Sequence, residues 1–334
     1  MIKKTAFQFF LLCSSIILTV TIAHAQSFNP DPNAQPLSKY FKNPIYVTLQ
    51  NTNAVEILPQ KKMIRGLKSA HYAAVSPNGK TLVVGSFTTG NVYIVDTLTD
   101  QIKATIETGG TSVQGVVVTP DNRLALAVDP NQGSVNVIDL RHDRLIHRIK
   151  VGPIPHNIIF SKNGTLAYVT LQGGTGVAVV NLQHFKKIGE IPVPGILGPH
   201  NLDFSDSGKI MWVRDVIGHV AAIDMATQKE LAVITVGHGH AGIDALPGGH
   251  HIITGAIADN VVDVIDARTM KVIKKIVVGP GPHGVRSSRD GHWIYADNTV
   301  ANDIVVINAR TLRIAATIPV QGTNAFWIAV SWHT

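Results

Sequence analysis

Five histidines, His71, His156, His200, His240 and His283, open five copies of one short sequence frame, and Gln114 and Asn324 open two more. A neutral imidazole offers one lone pair. Several of them converging on one axis make a site for copper, zinc or iron with no thiol required. None of the seven opening residues is acidic or aliphatic. The chemistry this pattern points to is metal or small-ligand binding, and a redox role would follow only from copper or iron. A structural reading stands beside it. A histidine at a repeated turn can bond a neighbouring backbone and recur by duplication, as the pairs Pro155-His156, Pro199-His200 and Pro282-His283 suggest.

The elements that must position these residues follow from the repeat. His71 to Gly79 reads His-Tyr-Ala-Ala-Val-Ser-Pro-Asn-Gly, and related stretches begin at 114, 156, 200, 240, 283 and 324, a spacing of 40 to 44 residues. The Gly248-Gly249 pair leaves the fifth copy uncertain by one residue. A fixed period of this length is the mark of a repeat architecture. Within one period, short apolar runs at Tyr72–Ser76, Thr81–Gly85, Val92–Val95 and Ile102–Ile106 are separated by turn residues, the pattern of a four-stranded propeller blade. Third strands end at Asp96, Asp139, Asn181, Asp224, Asp266 and Asn308, where a short polar side chain can bond the backbone two residues on and fix a turn.

The expected fold is all-β: a seven-bladed propeller over residues 44–334. Ile45–Leu49, Ala54–Leu58 and Met63–Gly66 supply three strands of a blade whose inner strand comes from Ala325–Ser331 at the other end of the chain. That exchange closes the ring and removes the exposed sheet edges. The Tyr46-Val47-Thr48 and Tyr168-Val169-Thr170 strands, the Ser-Pro-Asn-Gly79 turn and the Pro-His-Gly284 entry resemble the YVTN-repeat seven-bladed propellers. The resemblance covers nearly all of the chain from Ile45 to Ser331. It implies an architecture similar to the d1-haem domain of nitrite reductase, to nitrous oxide reductase and to propeller lactonases, and a place among exported and cell-surface proteins. It does not choose a function, because propellers host many.

If the cofactor were an anionic macrocycle, basic partners would be needed for its carboxylates, and Arg286 and Arg214 are the candidates near the axis. Arg286 could equally pair with Asp203, which holds the same frame position two blades earlier. A lactonase-like or lyase-like enzyme would use a channel histidine as base, although all four glutamates fall on outer strands. A non-catalytic scaffold would bind a partner protein through its loops.

Residues 1–25 read as a signal peptide: Lys3 and Lys4, an apolar run from Phe7 to Ile22, then Ala23-His24-Ala25. Cys13, the single cysteine, lies in that segment, so the remaining chain would have no disulfide, thiolate site or covalently attached c-type haem. Residues 26–43, with Pro30, Pro32 and Pro36, read as a flexible arm. The net charge of +7 is spread along the chain without a basic run, which argues against nucleic acid. A periplasmic or secreted monomer with no membrane span is expected.

Overall fold

The computed structural model describes residues 36–205 and 207–331; the segment read as a signal peptide and most of the arm lie outside them. The repeat pattern becomes seven four-stranded antiparallel sheets. The first whole repeat forms strands Ala70–Val75, Thr81–Ser86, Asn91–Asp96 and Gln101–Glu107. The three inner strands of each blade are buried on both faces, whereas the outermost alternates wet and dry residues, as a strand with one solvated face should. No helix among the described residues is long and apolar enough to cross a membrane.

Turn chemistry fixes each blade. All six third-strand terminal residues act as read from the sequence: the Asp96 carboxylate accepts the Leu98 and Thr99 N–H groups, and Asp139, Asn181, Asp224, Asp266 and Asn308 cap the same turn in their blades. After the inner strand, Gly79 adopts φ +63° and donates its N–H to Ser76 O at 2.7 Å. Gly249 holds the matching place in the fifth blade, with φ +68° and its N–H on Leu246 O. The strict frame there therefore opens at Ala241, and His240 stands one residue ahead of it.

Seven apolar clusters form the core of the described residues, each shared by two neighbouring sheets. No blade buries its faces alone, so closure is required. Ala325–Val330 pairs antiparallel with Ile45–Leu49 and sets Val47 opposite Ile328. The segment before that seam is tied to the ring: Tyr40 and Phe41 are buried, Phe41 stacks on Tyr295 at 5.2 Å, and the Tyr295 hydroxyl donates to Tyr40 O. The arm expected through residue 43 thus ends in anchored chain, because two aromatic side chains find an apolar surface there.

Ile328 is fully buried at the seam among Val47, Leu49 and Tyr295. Ile328→Ala is expected to cost about 2–5 kcal/mol of folding stability through lost transfer energy and the cavity left behind. Urea unfolding of the two proteins, compared at constant m-value, checks this.

Candidate functional site

Inner strands Pro155–Phe160, Pro199–Phe204 and Pro282–Ser287 carry His156, His200 and His283 as their second residues. Hydroxyl groups of neighbouring second strands hold these backbones in place: Thr170 Oγ1 donates to His200 O at 2.8 Å, and Thr48 Oγ1 to His71 O at 2.7 Å. These are the threonines of the Tyr-Val-Thr strands, and their bracing role was not readable from the repeat. His240 comes from the irregular segment before the short strand Ile243–Ala245. It stands one residue ahead of the strict frame, and its ring meets those of two other histidines. Its centroid is 5.0 Å from that of His200 and 5.2 Å from that of His283.

Ligating atoms of His200, His240 and His283 all lie within 4.8 Å of one another. Tetrahedral ligation with bonds of about 2.0–2.1 Å puts donor atoms roughly 3.4 Å apart, so modest rotation of the side chains would complete a three-ligand set. The tautomers suit it. A carbonyl oxygen only accepts, so His283 must carry its proton on Nδ1, which donates to Phe326 O at 2.9 Å, and His156 likewise on Nδ1 toward His200 O at 3.1 Å. The His283 Nε2 lone pair then has no partner and is buried, and His200 Nε2 is buried and unpartnered too. His156 lies beside the set, its ring 3.7 Å from that of His200.

Burial keeps these rings neutral. It drives His200, His283 and His156 well below the ordinary imidazole range, with neighbouring histidines adding to the effect. His240 is pushed down to about 4, by burial first and then by the Arg214 cation.

The other sequence candidates separate from this cluster. His71 meets Gln50 Oε1 and Gln114 Oε1 at 2.8 Å through its two ring nitrogens. Burial holds it neutral, down to about 3, with a single N–H, so one of those glutamines must turn its amide to donate. Its ring lies between Phe87 and Phe326 at 4.6 and 4.0 Å. Both nitrogens are spoken for, and Gln114 is one of the residues that occupies them. Asn324 does not open the last inner strand. That strand begins at Ala325, and Phe326, its second residue, holds the place the histidines hold in theirs: its carbonyl oxygen accepts from His283 Nδ1 and its ring packs on His283 at 3.9 Å. Matching Ala329-Val330-Ser331 to Ala74-Val75-Ser76 would have found that register.

Under the histidines the channel is plugged. Tyr72 packs on Trp327 at 4.1 Å and its hydroxyl reaches Asn201 Oδ1 at 3.2 Å, from the first whole repeat to the fourth; Asn201 also takes the Asn157 amide and donates to Ala241 O. Arg286 lies beyond this plug, three residues down its strand or about 10 Å. There it borders a cavity of about 250 Å³ with Asp244 and Trp327, its guanidinium 4.2 Å over the indole. Its near carboxylate is Asp244 at 3.6 Å rather than Asp203. Asp203 bonds the Ala245 and Phe204 N–H groups and is raised to about 7 by burial and by Asp244. Arg214, by contrast, is fully buried and donates to Gly237 O and Gly239 O in the turn that delivers His240.

A family model described as the cytochrome D1 heme domain matches residues 202–325, a stretch that includes His240 and His283 but starts just after His200. Among solved structures, hydrazine synthase from Kuenenia stuttgartiensis is similar at 20% identity and TM-score 0.69, over 79% of this chain and 90% of that one. A functionally unknown protein from Desulfotomaculum acetoxidans aligns at 17% identity and TM-score 0.73, over 86% of this chain and 99% of that one. The fold is a cytochrome-d1-like seven-bladed β-propeller. The dihydro-heme d1 dehydrogenase NirN, solved in complex with DHE, aligns at 17% identity and TM-score 0.63, over 90% of this chain and 76% of its own. No curated protein matches the chain.

The buried neutral rings make stability depend on pH. Unfolded histidine takes a proton near pH 6.5, whereas folded His71 and His240 resist until about 3 and about 4. The unfolded state binds more protons between those limits, so stability is full above about pH 6.5 and falls as the pH drops. From pH 7 to 5 the loss should be about 2 kcal/mol for each of the two rings. Asp203, raised to about 7, takes up a proton in the fold over the same range and opposes this. The test therefore compares urea midpoints at the two pH values in the unaltered protein and in His71→Gln, which should lose about 2 kcal/mol less. An equal loss in both would mean that the His71 ring is charged inside the fold.

Proposed function

We propose that the propeller binds one transition-metal ion, copper or zinc before iron, through His200, His240 and His283. The observation that carries this is the buried, unprotonated Nε2 of His283 with no donor to satisfy it, with the buried, unpartnered Nε2 of His200 and a His240 nitrogen in the same small space. An unpaired buried acceptor is costly. Three neutral imidazoles are a donor set that these ions accept, with a fourth position left for an exogenous ligand.

Haem is the group that the matching family model would imply, and the residues fit it less well than a bare ion. A macrocycle needs an imidazole nitrogen presented at an open face. Nε2 of His200 and of His283 are sealed, and His240 alone of the three is partly exposed. Arg286, the expected partner for a cofactor carboxylate, borders the cavity beyond the Tyr72 plug. Acid–base catalysis has less support still, since the channel carboxylates Asp203 and Asp244 share the cavity side with Arg286. The residue pattern of 1–25 supports export, which would expose the site to periplasmic or extracellular ions. A partner protein bound through the loops remains compatible with this reading.

Elemental analysis of protein purified without a polyhistidine tag, after incubation with copper or zinc, is the direct test. One ion per chain is expected. Metal should be lost when His200 and His240 are both changed to Ala and retained in His71→Ala, whose ring nitrogens are already bonded to glutamines. Retention by the double variant would refute the assignment.

A further inference from the structure

Antiparallel strands divide the connections of the ring between its two ends. Those at the histidine mouth run from each outermost strand to the next inner strand, and from second to third strands. Among the described residues these connections carry two formal charges, Lys68 and Asp259. The turns at the opposite end carry Lys80, Arg123, Lys162, Lys209, Arg268 and Arg310, with fewer acids to offset them. Exposed apolar side chains on the outermost strands sit among cations: Ile188 follows Lys186 and Lys187, and Ile273 lies between Lys271 and Lys274. Charges of that kind keep a strand edge from pairing with another chain. The uncharged mouth has no such protection, yet Ile154, Leu197 and Ile217 are exposed on it, Leu197 by 63%.

These three form one arc. Ile154 packs on Gly173, and its carbonyl oxygen accepts the Gln172 N–H at 2.9 Å. Gly198 lies against Gln172, and the Asp215 carboxylate takes the N–H groups of Leu197 and Ile217. The Ile217 carbonyl oxygen accepts the Gly239 N–H at 2.7 Å, which brings the arc to the turn that carries His240. Ile154 also has φ +44°, a left-handed conformation disfavoured for a β-branched residue and open to glycine or asparagine. A strained isoleucine facing water is accounted for by a contact that its side chain makes.

We propose that this arc is the contact surface of a dimer, with two copies packed mouth to mouth about a two-fold axis beside Leu197. An interface of that symmetry must complement itself. An uncharged apolar patch does so, and two copies joined there keep their basic ends apart. An acidic protein or a polyanion finds no charge to read on this face. Stable interfaces take roughly 20–30 residues from each partner, and residues 152–154, 172–175, 194–198, 216–219 and 237–240 give a surface of that order. Nothing in this contact requires a metal at the adjoining histidines.

Sedimentation velocity of the purified protein over a concentration series, with and without EDTA, is the test. A species of twice the chain mass is expected at micromolar concentration, unaffected by the chelator. It should not weaken when salt is raised from about 0.05 to 0.5 M, since no ion pair is there to be screened. Leu197→Arg and Ile217→Arg should each weaken dimerisation by about 100-fold or more, because the symmetry buries the unpaired charge twice. Their urea midpoints should match that of the unaltered protein, as both side chains are exposed in the single chain; either folded variant carries the comparison. Leu98→Arg, at the opposite end and 90% exposed, should dimerise normally. A monomer at every concentration overturns the proposal, and flotation of that monomer with phosphatidylcholine vesicles would assign the arc to a lipid surface instead. A dimer lost in EDTA is bridged by metal, and one that neither arginine variant weakens is formed through another face; each result overturns the proposal as well.

Discussion

The pairing of Ala325–Val330 with Ile45–Leu49 is the constraint on which the rest depends. Each apolar cluster in the described chain is shared between adjacent sheets, so an open ring would expose the faces of its two end blades. The seam is held by more than its ladder. Thr48 Oγ1 contacts both His71 O and Trp327 O, and the fully buried Glu56 carboxylate accepts Gln321 N and lies 3.2 Å from Lys61 Nζ. Those contacts connect the joined ends of the chain directly to the wall of the channel. Closure turns seven similar inner strands toward one axis and lets residues far apart in sequence share a few ångströms.

Burial then sets the chemistry of what converges. An imidazole in water near pH 6.5 is half charged, but one enclosed by other rings loses its proton because the cation cannot be solvated. Phe87, Phe326 and the neighbouring histidines provide that enclosure at one mouth. Neutrality is what a metal ligand needs, and the carbonyl oxygens of His200 and Phe326 choose which nitrogen is left bare. The backbone of one blade thus decides the tautomer of the histidine on the blade before it.

The two sides of the plug differ in kind. Above Tyr72 and Asn201 stand neutral imidazoles with Arg214 behind them. Below lies the cavity with Asp244, Arg286 and Trp327, with Asp203 coupled to Asp244. The separation follows from strand geometry: three residues along an extended strand span about 10 Å, and Tyr72, one step down from His71, fills the space between.

The period of 40 to 44 residues, the turn residues and the split last blade were legible from the sequence, because strands and turns are local and the repeat states them several times over. So was the recurrence of histidine at the frame start, and hence the mouth at which to look. Which histidines act together was not. His71 and His240 both read as frame starts, yet one lies between two glutamines and two phenylalanines while the other joins His200 and His283. The difference comes from Gln50, Gln114, Phe87 and Phe326, which meet His71 through loops and neighbouring strands, and from a one-residue offset before Ala241 that hides behind the Gly248-Gly249 pair. Frame position assigns a residue to a layer of the channel. The direction its ring faces, its tautomer and its charge are set by contacts across blades, and those exist only once the ring has closed.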